Sequence, residues 1–235
     1  MRQRLAPAKT VPASAPTMVV KRAYCAQCLR PQSTCICQWV TPVAHAVEVL
    51  ILQHPLEVAQ AKGSARLLHL SLPQSRLLAG EVFDVEACIA QMDAVREGGV
   101  DGQSTGGRRY NILLYPDLET GQASRMPAPP LLESTRVHKP SQLRLIVLDG
   151  TWRKSRKMLC LNPLLQPMPR LSLQGLPASH YLIRKAHRPG QLSTLEATCA
   201  ALAQLEGDAD KFEPLLKAFD DFVAQQSSYQ AGPGQ

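Results

Sequence analysis

The 235-residue chain lacks any long hydrophobic run. No stretch approaches the roughly 20 apolar residues that a membrane-spanning helix needs, so the sequence predicts no membrane partner. The first residues, MRQRLAPAKTVPASAP, also lack the apolar centre of a secretory signal. Their basic composition weakly resembles an organelle transit peptide, but the Pro and Ala content disfavours an amphipathic helix. We therefore expect a flexible basic tail over residues 1–22 and a cytoplasmic protein.

Acidic residues are missing from the first 47 positions, which contain six Lys or Arg. Between residues 125 and 160 there are eight cations and two acids, whereas residues 206–235 contain six acids and two lysines. The formal net charge of the whole chain is +7. A mildly basic protein with scattered charge is the common alternative, but segregation of charge to this degree favours a nucleic-acid-binding surface.

Four of the seven cysteines lie close together in the pattern C-x2-C-x6-C-x-C: Cys25, Cys28, Cys35 and Cys37. In a cytoplasmic chain this spacing favours a metal site over disulfides. Zinc suits four thiolates and would stabilise a segment too short to bury a core of its own. Free or paired thiols are the alternative. We expect residues 23–41 to form a separate zinc-binding module, and the remaining three cysteines to be core residues.

Short apolar segments separated by helical patterns predict an α/β fold with a mostly parallel sheet. The predicted strands cover residues 45–53, 111–116, 143–150 and 180–184. The predicted helices cover residues 56–72, 151–161, 193–207 and 211–225. Ser193 and Glu196 fit a capping box at the start of the third of these helices, and Gly207 fits its end. Residues 97–107 are glycine-rich, which predicts a surface insertion. A phosphate-binding loop is not supported there, because no strand leads into the segment and no helix with Lys-Ser or Lys-Thr follows it.

Asp149 stands at the carboxyl end of the predicted strand 143–150, where open α/β sheets bind ligands. Gly150 permits a sharp turn, and Thr151 can cap the following helix. An aspartate at this position is otherwise a turn or cap residue.

The helix after Thr151 has two different faces. Trp152, Ser155 and Leu159 share one face, which we expect to pack against the protein. Arg153, Arg156 and Lys157 share another face, which either meets phosphates or is simply solvated, and Lys154 lies between them in the sequence.

Five motifs follow one another along residues 24–205. After the cysteine cluster come Gln53-His54-Pro55-Leu56-Glu57, Leu113-Leu114-Tyr115-Pro116, Asp149-Gly150-Thr151-Trp152 and Leu192-Ser193-Thr194-Leu195-Glu196-Ala197. This series resembles the DTW-domain family, the tRNA-uridine aminocarboxypropyltransferases. The chain departs from the family at Gly63-Ser64, where the family usually has Asn-Thr.

The resemblance implies a SPOUT-like α/β catalytic domain over residues 42–227, with a knotted carboxyl-terminal region. It implies transfer of the 3-amino-3-carboxypropyl group of S-adenosylmethionine to N3 of a tRNA uridine, with release of 5′-methylthioadenosine. Asp149 is the implied catalytic residue. The expected S-adenosylmethionine-binding residues are Tyr115, Pro116, Asp149, Gly150, Thr151, Trp152, Arg184, Ser193 and Thr194. The expected RNA-binding residues are the four cations of residues 153–157 given above.

Several roles stay open at the level of sequence. Asp149 either accepts the N3 proton, which requires burial to raise its pKa, or positions a substrate. Arg184 and the amides of Ser193 and Thr194 are candidates to bind the carboxylate of the transferred group. His54 lies close to the expected site. A SPOUT-type RNA methyltransferase and a non-catalytic zinc-containing RNA-binding module are the alternative functions, and the oligomeric state is undetermined.

Overall fold

The computed structural model describes residues 23–60, 63–97, 108–116, 128–173 and 192–230. Within these residues, five strands form one sheet in the order β2-β1-β4-β3-β5, and every pair of neighbours is parallel. The strands are β1 (Glu48–Gln53), β2 (Ser75–Ala79), β3 (Tyr110–Leu114), β4 (Leu143–Asp149) and β5 (Arg170–Leu171).

The central strands form because their sequences are almost continuously apolar. β1 and β4 are buried along their whole length, as expected of parallel strands that are covered on both faces. Three predicted strands are confirmed as β1, β3 and β4. The sequence analysis missed β2, which is a half-buried edge strand, and β5, which has only two residues. The strand predicted at residues 180–184 lies outside the described residues.

Six α-helices connect and cover the strands in the described part of the chain. They are α1 (Ala65–Ser71), α2 (Val85–Glu97), α3 (Ser134–Val137), α4 (Trp152–Leu161), α5 (Thr194–Glu206) and α6 (Glu213–Gln230). The predicted helices at residues 151–161 and 193–207 are confirmed. Ser193 and Glu196 form the full capping box, and Gly207 ends α5 with a φ of 69°. Helix α2 was not predicted.

The helix predicted over residues 56–72 is wrong in its first half. Pro55–Glu57 form a single 3-10 turn, and the α-helix begins only at Ala65. Leu56 is 65% exposed, so the expected apolar stripe does not start there. Gly63 closes a turn by donating its N–H to the carbonyl of Gln60, and this turn separates the two elements.

The two faces of the sheet are buried under different helices. One face packs against α1, α5 and α6, and the other packs against α2 and α4. Alternate residues of each strand serve each layer, so that Val49 and Ile51 face the first while Leu50 and Leu52 face the second. Full burial of each such aliphatic side chain contributes about 1.5–3 kcal/mol. The sheet is therefore the centre of a three-layer α/β unit, as predicted.

The four-cysteine segment packs directly on this unit. Cys28 and Ile36 belong to the same buried cluster as the sheet face under α5 and α6. Trp39 Nε1 donates a hydrogen bond to Gln225 Oε1 of α6 at 3.2 Å. The segment and the sheet therefore share one hydrophobic core, while the predicted domain boundary after residue 41 stays a prediction.

Three predicted features lie largely or wholly outside the described residues: the basic tail over residues 1–22, the glycine-rich segment from residue 98 onward, and most of the loop that would form the knot. The knot therefore stays a prediction. None of the helices that the structure describes is both long and apolar enough to cross a membrane.

The strand order sets where a ligand can bind. From β1 the chain continues to β2 on one side, and from β4 it continues to β5 on the other. Connections that leave two adjacent strands in opposite directions open a crevice at their carboxyl ends. This crevice lies between the ends of β1 and β4, which are Gln53 and Asp149.

Candidate active site

Asp149 is held by two side-chain donors at the end of β4. Gln53, its partner in the sheet register, donates from Nε2 to Oδ2 at 2.8 Å. Thr194, the first residue of α5, donates from Oγ1 to Oδ1 at 2.6 Å. The Asp149 residue is only 6% exposed. Because a carboxylate offers about four acceptor positions, these two bonds leave further positions for a ligand.

Burial raises the pKa of Asp149 above the ordinary value of 3.8. The hydrogen bonds from Thr194 and Gln53 act in the opposite direction, as does the charge of Lys154, while the nearby charge of Glu57 adds to the effect of burial. Desolvation is the largest of these influences. The carboxyl group therefore retains a proton more readily than an exposed aspartate would.

His54 links the end of β1 to its surroundings. Its backbone N–H donates to the carbonyl of Asp149 at 2.9 Å, and its Nδ1 accepts the N–H of Leu56 at 3.2 Å. This assigns the ring proton to Nε2, which lies 2.8 Å from Glu81 Oε1. Both ring nitrogens are thus occupied, and His54 serves to position the turn after β1.

A side chain at Gly150, in the turn after Asp149, would be crowded by its neighbours. A Cβ atom built there would lie 3.1 Å from Lys154 Cβ and 3.6 Å from His54 Cβ. Thr151 is the N-cap residue of α4, as predicted, although its side chain makes no capping hydrogen bond. Its carbonyl accepts the N–H of Ser155 at 2.8 Å. Close packing, rather than hydroxyl capping, therefore fixes this turn.

Trp152 does not pack into the protein as expected, because it is 56% exposed. It is the first residue of α4 and projects outward, whereas Ser155 and Leu159 on the same predicted face are buried. The rings of Trp152 and Tyr115 make an edge-to-face contact, with 6.0 Å between their centres. Tyr115 is buried at the end of β3, and burial raises its pKa. The exposed indole offers a flat apolar surface beside the crevice.

Arg170 is a buried cation near the candidate site that the sequence analysis missed. It lies on β5, it is only 7% exposed, and its guanidinium carbon is 5.6 Å from the centre of the Tyr115 ring. Its Nε is buried without a hydrogen-bond partner. A two-residue strand between prolines and polar residues gives no periodic signal, so only the structure could bring this cation to the site.

The basic residues at the start of α4 are partly neutralised. Lys154 Nζ lies 2.6 Å from Glu57 Oε1, and Lys157 Nζ lies 2.6 Å from Glu81 Oε2. Arg153 is exposed on the surface of the helix, as is Arg156. The predicted RNA-binding face is therefore less positive than its sequence indicates, because Glu57 and Glu81, which follow other strands, pair with two of its lysines.

The structure brings most of the predicted S-adenosylmethionine-binding residues to one edge of the sheet. Asp149 ends β4 and Gly150 and Trp152 follow it. Tyr115 and Pro116 follow β3, and Thr194 joins them through its bond to Asp149. The hydroxyl and backbone N–H of Ser193 are engaged by Glu196 within the capping box. Arg184 lies outside the described residues.

A polar cavity of about 320 Å³ lies away from this edge, between the cysteine segment and α6. Hydroxyl and amide side chains line it, including those of Ser33, Gln38 and Gln226. Residues 117–127 and 174–191, which follow β3 and β5 in the sequence, lie outside the described residues. The switch point therefore identifies the site better than the cavity does.

The four cysteines of the amino-terminal segment form a compact cluster. Their sulfur atoms all lie within 4.8 Å of one another, with 3.6 Å between Cys25 and Cys37 and 3.7 Å between Cys28 and Cys35. Disulfide sulfurs would be about 2.05 Å apart, whereas a tetrahedral ion with ligands at about 2.3 Å separates its sulfurs by about 3.8 Å. The cluster therefore has the dimensions of a metal site.

Local hydrogen bonding also favours a thiolate in this cluster. Backbone N–H groups of Cys28 and Gln27 lower the pKa of Cys25 to about 6, whereas burial is the main cause that raises the pKa of Cys37 to about 12. Leu29 adopts a φ of 58° in the turn that brings Cys25 and Cys28 together. The four residues could thus hold a metal ion, as their spacing predicted.

Known proteins resemble the chain over most of its length. It is 28% identical over 202 residues to tRNA-uridine aminocarboxypropyltransferase 2 of Mus musculus, and the alignment covers 84% of this chain and 61% of that protein. It is 27% identical to the Drosophila melanogaster protein of the same name, covering 84% and 72%. It is 26% identical to tRNA-uridine aminocarboxypropyltransferase A of Arabidopsis thaliana, covering 89% and 83%.

The chain thus spans less than two thirds of the length of the mouse relative. No solved structure matches it significantly. The DTW domain, as a family, matches residues 22–227, a span that includes both the cysteine cluster and the edge of the sheet around Asp149. The chain therefore belongs to the DTW-domain family.

Proposed function

We propose that the protein transfers the 3-amino-3-carboxypropyl group of S-adenosylmethionine to N3 of a uridine in tRNA, and that it works in the cytoplasm. The observation that supports this most is the position of the family signature, Asp149 to Trp152, at the switch point of the sheet. Relatives named tRNA-uridine aminocarboxypropyltransferase in an insect, a mammal and a plant align with 84–89% of the chain.

The reaction needs alignment and removal of one proton. S-adenosylmethionine supplies a sulfonium, which is a good leaving group. The N3–C bond forms as the S–C bond breaks, the electron pair of that bond stays on sulfur, and the N3 proton passes to a base. Holding the two reactants in line could contribute about 7–11 kcal/mol to catalysis.

Asp149 is the proposed acceptor of the N3–H hydrogen bond. The pKa of the N3 imide lies several units above that of an ordinary carboxyl group. Each unit of this difference adds about 1.36 kcal/mol to the cost of transferring the proton. Burial raises the pKa of Asp149 and so narrows this gap. The bonds from Gln53 and Thr194 fix the carboxylate without occupying all of its acceptor positions. Gln53 and Thr194 act as positioning residues because they reach the reaction only through Asp149.

The surface around the crevice suits a nucleic acid. Exposed Trp152 can stack on a base or on adenine, an interaction worth about 1–3 kcal/mol in single-stranded complexes. Arg153 and Arg156 on α4 can contact phosphates, together with the cations that dominate the first 47 residues. We place the tRNA across the outer surface of α4 for this reason.

We further propose that Cys25, Cys28, Cys35 and Cys37 bind zinc. Four sulfurs at these separations fit tetrahedral thiolate coordination. The ion would supply folding free energy, and the packing of Cys28 in the shared core would transmit that stability to α6.

Isotope labelling tests the proposed reaction. The protein is incubated with unmodified tRNA and with S-adenosylmethionine labelled either in the methyl carbon or in the aminocarboxypropyl carbons. We expect label in tRNA only from the aminocarboxypropyl carbons, together with free 5′-methylthioadenosine. Label from the methyl carbon would instead identify a methyltransferase. Binding of tRNA without transfer of either label would identify an RNA-binding module.

A further inference from the structure

Arg170 is a buried cation whose charge no described acid balances. An ionised side chain that leaves water without a paired anion costs several kcal/mol. Its Nε is buried and has no hydrogen-bond partner, and among the described side chains its guanidinium lies over the face of the Tyr115 ring. A cation–π contact of this kind contributes only about 0.5–2 kcal/mol. The described residues thus provide no anion to offset the cost of burying the Arg170 guanidinium.

The acids closest to the crevice are already engaged. Glu57 pairs with Lys154, and Glu81 pairs with Lys157 and His54. Both oxygens of Asp149 accept hydrogen bonds. Two segments outside the described residues follow β3 and β5 in the sequence: residues 174–191 contain neither Asp nor Glu, whereas residues 117–127 contain Asp117 and Glu119. Within the part of the chain that the structure describes, no carboxylate reaches Arg170.

The position of Arg170 connects it to the proposed active site. It pairs with Leu113 near the carboxyl end of β3, in the same parallel sheet that ends in Asp149. Tyr115 contacts both Arg170, whose guanidinium carbon lies 5.6 Å from the centre of its ring, and Trp152, whose ring centre lies 6.0 Å away. Two side-chain contacts therefore separate the unmatched cation from the signature turn.

We propose that Arg170 binds the α-carboxylate of the aminocarboxypropyl group of S-adenosylmethionine. This inference rests on the proposed function and adds the residue that recognises the transferred group. A guanidinium binds a carboxylate through two parallel hydrogen bonds, which gives orientation as well as affinity. A tRNA phosphate is a poorer match, because a residue that is 7% exposed behind Tyr115 is reached by a small ligand rather than by a polynucleotide backbone.

Carboxylate binding at Arg170 would contribute to the choice of reaction. The sulfonium carries three carbons, and fixing the far end of one substituent limits which carbon can face the uridine. Arg170 would then be a specificity-determining residue, while Asp149 handles the nucleobase. This assignment differs from the sequence-based expectation that Arg184 or the amides of Ser193 and Thr194 bind the carboxylate.

Decarboxylated S-adenosylmethionine, which lacks only the α-carboxylate, provides the test. Calorimetry without tRNA measures the affinity of each compound for the native protein, for Arg170→Gln and for Arg170→Lys. We expect the native protein to prefer S-adenosylmethionine by about 10- to 100-fold, as for other hydrogen bonds to charged groups. Arg170→Gln should bring this ratio close to one, and Arg170→Lys should restore part of it.

Arg76→Gln is the matched control, since Arg76 lies on the edge strand β2 and donates to Gln91 Oε1. This variant should keep the native preference. Thermal unfolding of every variant shows whether the fold is intact. An equal affinity of the native protein for the two compounds would overturn the assignment whether or not the variants fold.

If Arg170→Gln keeps the native preference for S-adenosylmethionine over the decarboxylated compound, the assignment of Arg170 is also overturned. That result would indicate that an acid of the protein itself balances the charge of Arg170. A loss of tRNA affinity in Arg170→Gln with the preference unchanged would assign the residue to phosphate and reject the carboxylate. If the native protein binds neither compound and transfers no label, the proposed function fails, which is a different result from either of these.

Discussion

Replacing Asp149 by asparagine separates the contribution of the carboxylate to the fold from its contribution to the reaction. The side chain accepts hydrogen bonds from Gln53 at 2.8 Å and from Thr194 at 2.6 Å. Asparagine has the same shape and keeps one acceptor oxygen. The amide of Gln53 can rotate so that its oxygen accepts from the new NH₂ group. Asp149→Asn should therefore retain both contacts and lose only the buried charge.

The sign of the stability effect follows from the raised pKa of Asp149. A carboxyl group whose pKa is higher in the fold stabilises it fully below the unfolded value of about 3.8, and this contribution is lost as the pH rises through the folded pKa. Hydrogen bonds to a charged acceptor contribute about 1.5–3 kcal/mol, against about 0.5–1.5 kcal/mol for neutral ones. Burial nevertheless outweighs them in setting the pKa. At about pH 7 the variant should be at least as stable as the native protein.

Thermal unfolding from acidic to neutral pH and the labelled-transfer assay measure the two effects. The advantage of Asp149→Asn should grow as the pH rises above the ordinary aspartate value, with each kcal/mol worth about 2–4 °C for a domain of this size. Transfer should fall by about 100-fold or more, as for loss of a catalytic base. A variant that melts several degrees lower than the native protein, or that retains native turnover, would refute this reasoning.

Three further changes test other parts of the site. Gly150→Ala should reduce transfer by about 10-fold and stability by about 1 kcal/mol, because its Cβ would crowd Lys154 Cβ at 3.1 Å; native kinetics and melting would show that the turn can yield. Cys28→Ser should lower bound zinc, measured by elemental analysis, and should lower the melting temperature, whereas unchanged melting would separate the metal from the fold. Arg153→Glu combined with Arg156→Glu should weaken tRNA binding and flatten its dependence on salt, by about 0.7–0.9 in the logarithmic slope per lost phosphate contact. Equal slopes would assign this face of α4 to solvent.

The parts of the fold that the sequence predicted share a strong local signal. β1 and β4 are continuous apolar runs, and α5 begins with a full capping box. The start of α1 was predicted wrongly because Leu56 and Ala59 fit a helical spacing that the turn at Gly63 interrupts. Local pattern cannot determine a boundary when two neighbouring elements have the same periodicity.

The sequence could place candidate residues at the ends of predicted strands, but it could not place the side chains that approach them from elsewhere. Asp149 could be placed from the end of a predicted strand. Its partners Gln53 and Thr194 depend on the register of β1 with β4 and on the approach of α5, neither of which has a sequence signal. The neutralisation of Lys154 by Glu57 likewise depends on strands that are adjacent in space. Sequence order could therefore place the candidate carboxylate but not the charges and donors that surround it.

Hydrogen bonds connect the cysteine segment to the turn that precedes α1. Arg30, which lies two residues after Cys28, donates from NH2 to the carbonyl of Gly63 at 3.0 Å and to that of Gln60 at 3.3 Å. These carbonyls belong to the turn that precedes α1. A change in the cysteine segment would therefore alter the segment that leads into α1.

The same turn also contacts the start of α5. Ser64 Oγ accepts the backbone N–H of Leu195 at 3.4 Å, and the preceding residue, Thr194, donates to Asp149. Position in space alone does not establish coupling, but here the steps at Gly63 and Leu195 are hydrogen bonds of backbone groups that have few alternative partners, and the last step is the side-chain bond from Thr194 to Asp149. Loss of the metal should therefore loosen the hold of Thr194 on Asp149 before it unfolds the sheet, whose central strands are buried on both faces. Transfer should accordingly decline at a lower chelator concentration than the one that abolishes the folded state.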